Sequence, residues 1–136
     1  MSKESQGVSV LPESECWKLL SSVAVGRLIT SVEGQPAVFP VNFVVRDRAV
    51  LFQTAEGTKL VSTAINNQVL FEADDFDSAE GWSVIVNGTA QILDSDEGTA
   101  EAESAGLRSW TPTVKPHFVK IRSLRVTGRR FAFAGS

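Results

Sequence analysis

The stretch that decides the fold runs from Gln35 to Lys59 and reads QPAVFPVNFVVRDRAVLFQTAEGTK. It contains two runs of β-branched and aromatic residues, which favour a pleated, half-buried surface. The polar link Arg46-Asp47-Arg48 between the runs has the length of a hairpin connection. The sequence therefore predicts a β-hairpin over Gln35–Thr54.

The turn after this hairpin is the first candidate functional segment. It brings Thr54, Gly57, Thr58 and Lys59 together just before a helical pattern begins at Leu60. Hydroxyls, a flexible glycine, free N–H groups at a helix start and an ammonium group can together hold a phosphate. An ordinary strand-to-helix turn with a surface lysine is the alternative, and the order of residues in a P-loop is absent.

The composition is that of a single soluble domain. The chain has 136 residues, of which 43% are hydrophobic, and its net charge of -3 argues against a nucleic-acid binder. One cysteine excludes an intrachain disulfide and fits a reducing compartment. No apolar run is long enough to span a membrane, and the first residues lack a signal-peptide pattern. We expect a cytoplasmic protein with a loose tail over residues 1–10 and one domain over residues 11–136.

Strand patterns outnumber helical patterns along the rest of the chain. Cys16, Leu19, Leu20 and Val23 predict a first helix that ends at Gly26. Further strands are predicted over 27–32, 69–73, 82–93, 118–121 and 124–133, the last two being separate or one bent strand, and further helices over 59–65 and 94–106. Gly88 indicates a bulge or bend. The prediction is a mainly β fold, a split β-barrel of six or seven mostly antiparallel strands with two or three peripheral helices.

Six short pieces of the sequence, in order, resemble the flavin-binding split barrels related to pyridoxamine 5'-phosphate oxidase. They are VGRL (25–28), GQP (34–36), PVNF (40–43), TAEGTK (54–59), NNQVLFE (66–72) and GWSVIVNG (81–88). The resemblance spans roughly residues 12–133. It implies a homodimer with two flavins, FMN above all, in clefts between the subunits. It also implies a small oxidoreductase that transfers hydride or electrons between the flavin and an unidentified small molecule.

The resemblance also implies roles for particular residues. The backbone of Phe39, Pro40, Val41 and Asn42 is expected along the isoalloxazine ring, and Thr54, Thr58 and Lys59 at the phosphate. Trp82 and Ser83 are expected near the ring or the ribityl chain, and Arg129 at the flavin bound mainly by the other subunit. We expect no strict catalytic residue, because a flavin carries the chemistry itself.

The chain departs from the oxidase in two places. The oxidase has an arginine where Phe39 stands and two consecutive basic residues where this chain has Lys59-Leu60. Pyridoxamine phosphate oxidation is therefore not expected, and the closer likeness is to smaller members of the superfamily.

Several alternatives remain open from the sequence. A deazaflavin-dependent reductase on the same fold needs an extended basic groove, for which Arg27, Lys59, Arg129 and Arg130 are candidates. A non-enzymatic flavin- or heme-binding protein is another possibility; heme requires His117 or Cys16 near the cleft. The last alternative is a barrel without a cofactor that serves as an interaction module.

Some of these residues also have ordinary structural explanations. Trp82 suits the core or a dimer interface as well as a stacking site, and Asn42 suits a solvated strand face. Cys16 lies on the apolar stripe of the first helix and is expected in the core. One histidine and one cysteine do not make a zinc site within one chain.

Overall fold

The computed structural model describes residues 7–54, 68–93, 96–107 and 117–133. These residues form seven strands and two helices. They are β1 (Val8–Val10), α1 (Glu13–Leu20), β2 (Val25–Val32), β3 (Gln35–Arg46), β4 (Ala49–Thr54), β5 (Gln68–Phe76), β6 (Glu80–Leu93), α2 (Asp96–Ser104) and β7 (His117–Ala132). The predicted helix over 59–65 and the proline-containing connection before β7 lie outside the described residues.

The strands form one antiparallel sheet that closes on itself. Its order is β1-β7-β4-β3-β2-β5-β6, and a further pairing of β6 with β7 closes a ring of six strands. The 16-residue β7 binds β4 with its first half and β1 with its second half along the same edge. The predicted split β-barrel is confirmed, and the two predicted C-terminal strands are one continuous strand.

The predicted hairpin is confirmed, and its turn explains the register. Phe43 lies opposite Phe52, and the two strands are joined by Asp47 and Arg48, whose φ angles are 52° and 61°. Positive φ at both central residues is the geometry of the two-residue turn that matches strand twist. Glu33 and Gly34 make a second such turn, so β2, β3 and β4 form a meander.

Two apolar clusters stabilise the sheet on its two sides. Inside the ring lie alternate side chains of the strands; the rings of Phe43 and Phe71, for example, meet edge to face with their centroids 4.7 Å apart. α1 contributes Cys16 and Leu20 to this inner cluster. Outside the ring, residues of β4, β6 and β7 pack against α2 and the segment after it; this second cluster comprises Leu51, Leu93, Ala102, Leu107 and Phe118.

The expected tail over residues 1–10 is replaced at its end by a strand. Val8–Val10 pairs with Arg129–Phe131 along β7, because β4 leaves that part of the β7 edge open. Residues 1–6 lie outside the described part of the chain.

The first helix is shorter than predicted. It ends at Leu20, where the hydroxyls of Ser21 and Ser22 donate to the carbonyl oxygens of Trp17 and Leu19 at 3.0 and 2.6 Å. Such bonds compete with helix continuation. Gly26 lies instead in β2, at a position where a Cβ atom would fall 2.3 Å from Cζ of Phe71. This glycine therefore makes room for a core ring and does not end a helix.

The strand predicted over 69–73 is longer in the structure, so the turn between β5 and β6 begins later. Asp74 and Asp75 extend β5, and Asp77 makes the turn. The carboxylate of Asp77 accepts hydrogen bonds from the backbone N–H groups of Ala79 and Glu80 at 2.8 and 2.9 Å. These bonds lower the pKa of Asp77 below its ordinary value.

Candidate functional site

The predicted ring-binding segment of β3 presents alternate residues to opposite sides of the sheet. Phe39 and Val41 point into the ring, where Val41 is buried and Phe39 packs against the inner cluster. Pro40 is exposed and Asn42 is half-buried on the outer side, with Asn42 opposite Val25 of β2. Pro40 and Asn42 therefore lie on the outer surface of β3, whereas the side chains of Phe39 and Val41 do not.

The predicted phosphate-binding turn is only partly described. Thr54 is the last residue of β4 and lies opposite His117 at the start of β7. Thr58 and Lys59 lie outside the described residues, so their role stays a prediction.

Trp82 and Ser83 lie on opposite sides of β6. Trp82 is 7% exposed and belongs to the inner cluster, with Arg130 as its cross-strand partner. Ser83 faces outward beside the exposed Arg129. Trp82 also lines a hollow of about 220 Å³ at the turn between β5 and β6; the other lining residues are Leu19, Asp75, Phe76, Asp77, Glu80 and Arg130.

The ring order separates the predicted site residues into two groups. β3 and β6 are three strands apart in either direction, and so lie on opposite sides of the ring. At about 4.8 Å per strand, Asn42 and Ser83 are separated by roughly 14 Å around the outer surface. One chain therefore does not bring the β3 segment together with Ser83 and Arg129.

Arg27 lies on the outer face between these two groups and binds two carboxylates of β5. Its Nη2 atom lies 2.6 Å from Oε1 of Glu72 and 2.8 Å from Oδ1 of Asp74. Burial lowers the pKa of Arg27, but its bonds to these carboxylates outweigh burial and hold that pKa above the ordinary value. Arg27 is thus neutralised within the sheet.

Glu72 is the unusual acid of this cluster. Burial raises the pKa of its carboxyl, and a hydrogen bond with Asp74 raises it further, against the opposing effect of Arg27. Glu72 therefore holds a proton to a higher pH than an exposed glutamate.

The described candidate cations for a basic groove, which are all arginines, do not converge. Arg130 lies 3.6 Å from Glu15 and 3.5 Å from Glu80, whereas Arg129 makes no ion pair with any described residue. Arg27 is bound to Glu72 and Asp74, and Lys59 lies outside the described part. Of the three arginines left open by the sequence, Arg129 is the one that faces outward without a carboxylate.

Two arginines that the sequence reasoning missed share the outer face with Arg129. Arg125 lies opposite Asn87, and Arg122 lies opposite Thr89. The register shifts between Asn87 and Gly88, which leaves Leu124 as the extra residue in β7. The bulge predicted at Gly88 is confirmed by this shift. Arg122 and Arg125 are an odd number of residues apart, so a regular strand would place them on opposite faces. The bulge signal at Gly88 was the only feature of the sequence that could have placed them on one face.

The structure removes one of the two candidate heme ligands. Cys16 is fully buried beneath Gly128, and burial, together with the nearby Glu13, raises the pKa of its thiol. The side chain of His117 lies outside the described part of the chain. No group of three or more potential metal ligands occurs among the residues that the structure describes. Within those residues, no helix has the length and apolar character to span a membrane.

Comparison with known proteins identifies the family. The family described as pyridoxamine 5'-phosphate oxidase matches residues 12–130. The chain is 53% identical to the FAD binding protein from Mycobacterium smegmatis, with a TM-score of 0.82 over 91% of this chain and 98% of that one. It is 38% identical to a putative pyridoxamine 5'-phosphate oxidase from Corynebacterium glutamicum, with a TM-score of 0.87 over 96% of this chain and 97% of that one.

A third solved structure extends the likeness. It is a FAD-binding protein from Mesorhizobium loti, 26% identical, with a TM-score of 0.77 over 90% of this chain and 97% of that one. The family match covers nearly all of the split barrel, including β3, β6 and most of β7. The chain therefore belongs to the family of split β-barrels related to pyridoxamine 5'-phosphate oxidase.

Proposed function

We propose that this protein binds a flavin as a homodimer and acts as a small oxidoreductase. The observation that carries the proposal is the 53% identity, over 91% of the chain, to a protein described as FAD binding. The Mesorhizobium loti protein with the same fold is also described as FAD-binding. A flavin supplies hydride and electron transfer, and the protein supplies binding and orientation.

The outer surface of β3 and β2 fits a flat ring. Val25, Val38 and Pro40 are exposed there beside the half-buried Asn42. Aliphatic side chains pack against a planar ring, and an amide can donate to or accept from its polar edge. In this proposal Thr58 and Lys59, on the turn after β4, hold the first phosphate.

The two flavin nucleotides share the isoalloxazine ring and the first phosphate, so the same segment serves both. The sequence favours FMN, whereas the descriptions of two similar solved proteins favour FAD. FAD is therefore the first flavin to test, with FMN and the deazaflavin coenzyme as the alternatives.

The proposed dimer is supported by an apolar outer face that no described residue covers. Val38 is 60% exposed and Val25 39%, on the paired strands β3 and β2 of the outer surface. A contiguous exposed patch of this kind is typical of an interface. In a symmetric dimer, Ser83 and Arg129 of one copy approach β3 of the other, which would join the two groups of site residues.

A fluorescence titration tests the cofactor assignment. We expect purified protein to bind FAD or FMN, and Lys59→Ala to weaken binding by about tenfold, because a charge-assisted hydrogen bond to phosphate is lost. Lys18→Ala, which removes an exposed lysine of α1, is the matched control. Equal flavin affinities of wild type and Lys59→Ala would show that Lys59 does not bind the phosphate. The absence of any flavin binding by the wild type would reject the proposed function.

Turnover requires a separate measurement. After anaerobic loading with the preferred flavin, bleaching of flavin absorbance by NADH or NADPH, followed by reoxidation with added electron acceptors, would demonstrate oxidoreductase activity. A flavin that binds tightly but exchanges no electrons with any donor or acceptor would leave a flavin-storage protein.

A further inference from the structure

Three arginines form a row along the outer side of β7. This arginine row consists of Arg122, Arg125 and Arg129, whose cross-strand partners on β6 are Thr89, Asn87 and Ser83. At about 3.3 Å per residue, the row is roughly 23 Å long.

The arginine row has no counter-charge within the described part of the chain. Arg27, Arg48 and Arg130 each form an ion pair there, and Arg46 donates to the hydroxyl of Ser104 at 2.6 Å. The three arginines of the row make no such contact with the described residues. Their partners on β6 are neutral, as are Ala49 of β4, opposite Arg122, and Val10 of β1, opposite Arg129.

Exposed arginines are ordinary on a protein surface, so the row needs a second observation. It is a hollow of about 160 Å³ beside Arg125; the other lining residues are Leu70, Ile85, Asn87 and Thr127. The row and this hollow together form a positive, partly apolar concavity on a chain whose net charge is -3.

The groups that line the hollow are mainly hydrogen-bond donors on an apolar wall. Oδ1 of Asn87 accepts a hydrogen bond from Nε2 of Gln68 at 3.0 Å, which fixes the amide and leaves its NH2 group as the donor. Thr127 adds a hydroxyl, and Arg125 adds a guanidinium that can bind phosphate oxygens in pairs. Leu70 and Ile85 provide the wall, against which a flat base can pack.

We propose that the arginine row and this hollow bind the adenosine diphosphate portion of FAD. This inference rests on the proposed flavin function and specifies which flavin the chain selects. FMN lacks the second phosphate and the adenosine, so its affinity does not depend on Arg125 and the hollow. The row thus accounts for a preference for FAD without any change in the segment that holds the ring.

The test compares FAD, FMN and ADP at fixed ionic strength with three proteins: wild type, Arg125→Gln and Arg48→Gln. Arg48→Gln removes the same charge from the exposed turn between β3 and β4 and is the matched control. We expect Arg125→Gln to weaken FAD and ADP about tenfold, the effect of one charged hydrogen bond, and to leave FMN within about twofold. The control should leave all three affinities unchanged.

Where the wild type binds FAD, each other outcome overturns the inference. An equal loss of FAD and FMN would place Arg125 at the flavin half or in the fold, and an unchanged FAD affinity would remove it from the site. A change in oligomeric state with unchanged FAD affinity would make the row an interface. If wild type binds no flavin, the proposed function fails, but the ADP titration still tests the site. ADP binding that Arg125→Gln weakens would support a nucleotide site at this surface. No ADP binding by the wild type would reject the inference.

Discussion

At the scale of single residues, a few glycines make close approaches that no other residue permits. A Cβ atom on Gly88 would lie 2.1 Å from the carbonyl oxygen of Arg122, and one on Gly128 would lie 2.7 Å from Sγ of Cys16. Gly88 faces backbone, which cannot rotate away as a side chain can. It therefore permits the close contact between β6 and β7 at the bulge.

Gly88→Ala should destabilise the protein by about 1–3 kcal/mol or more, because the added methyl group displaces the β7 backbone. Gly34→Asn is the control, since Gly34 lies in an open turn at φ 77°, a conformation that asparagine tolerates. Urea unfolding measures both variants. A loss of less than about 0.5 kcal/mol for Gly88→Ala, the usual range of surface substitutions, would contradict the close approach.

At the scale of elements, the cluster of Arg27, Glu72 and Asp74 joins β2 to β5 across the outer face. Nε of Arg27 also donates to Oε1 of Glu72 at 2.8 Å, so that the guanidinium spans the pair of acids. Burial raises the pKa of Glu72, and the neighbouring Asp74 raises it further, because two carboxyl groups this close ionise unequally.

The raised pKa of Glu72 gives a signed prediction for stability against pH. The folded protein holds this proton more tightly than the unfolded chain, so the stabilisation is fully present below the ordinary value of 4.5. It is lost as the pH rises through the raised pKa. The urea midpoint of the wild type should therefore fall as the pH rises from the ordinary pKa of Glu72 through the raised one. We expect a smaller fall in Glu72→Gln, because glutamine mimics the protonated acid.

Glu33→Gln provides the comparison for this pH series, because Glu33 is an exposed carboxylate in the turn between β2 and β3. Its variant should keep the pH dependence of the wild type. Parallel curves for wild type and Glu72→Gln would show that the Glu72 proton is not linked to folding.

At the scale of the whole molecule, α2 covers one outer face of the closed ring, and no described residue covers another. The outer cluster buries Leu51 and Phe118 beneath α2, whereas Val25 and Val38 stay exposed among the described residues. The two groups of candidate site residues, the β3 segment and Ser83 with Arg129, also lie on the outer surface, on opposite sides of the ring.

Val38→Asp should therefore convert the proposed dimer to a monomer and abolish flavin binding, because a desolvated charge opposes burial of this face. Phe76→Asp, at the turn between β5 and β6 and 75% exposed, is the control that should keep the dimer. Light scattering gives the mass, and circular dichroism checks that both variants fold. The same mass for wild type and Val38→Asp would place the interface elsewhere, or exclude a dimer.

Much of the fold was predictable from local patterns. Alternating β-branched and aromatic residues located most of the strands, the two-residue link at Asp47 and Arg48 fixed one hairpin, and Gly88 marked the register shift. These features depend on residues that are close in sequence. The C-terminal end of α1 and the strand Val8–Val10 were not predicted, because hydrogen bonds of serine side chains decide the first and the open edge of the distant β7 decides the second.

The sequence by itself determined most of the strands, the hairpin over Gln35–Thr54 and the resemblance to the family to which the chain belongs. Only the tertiary structure decided which arginines are paired: Arg27 and Arg130 bind carboxylates 45 and 50 residues away, while Arg129 binds no carboxylate of the described residues. It also placed β3 and β6 on opposite sides of the ring, and Arg122 and Arg125 on one face. The physical reason is that ring closure and strand register depend on long-range pairing, which a local pattern does not encode.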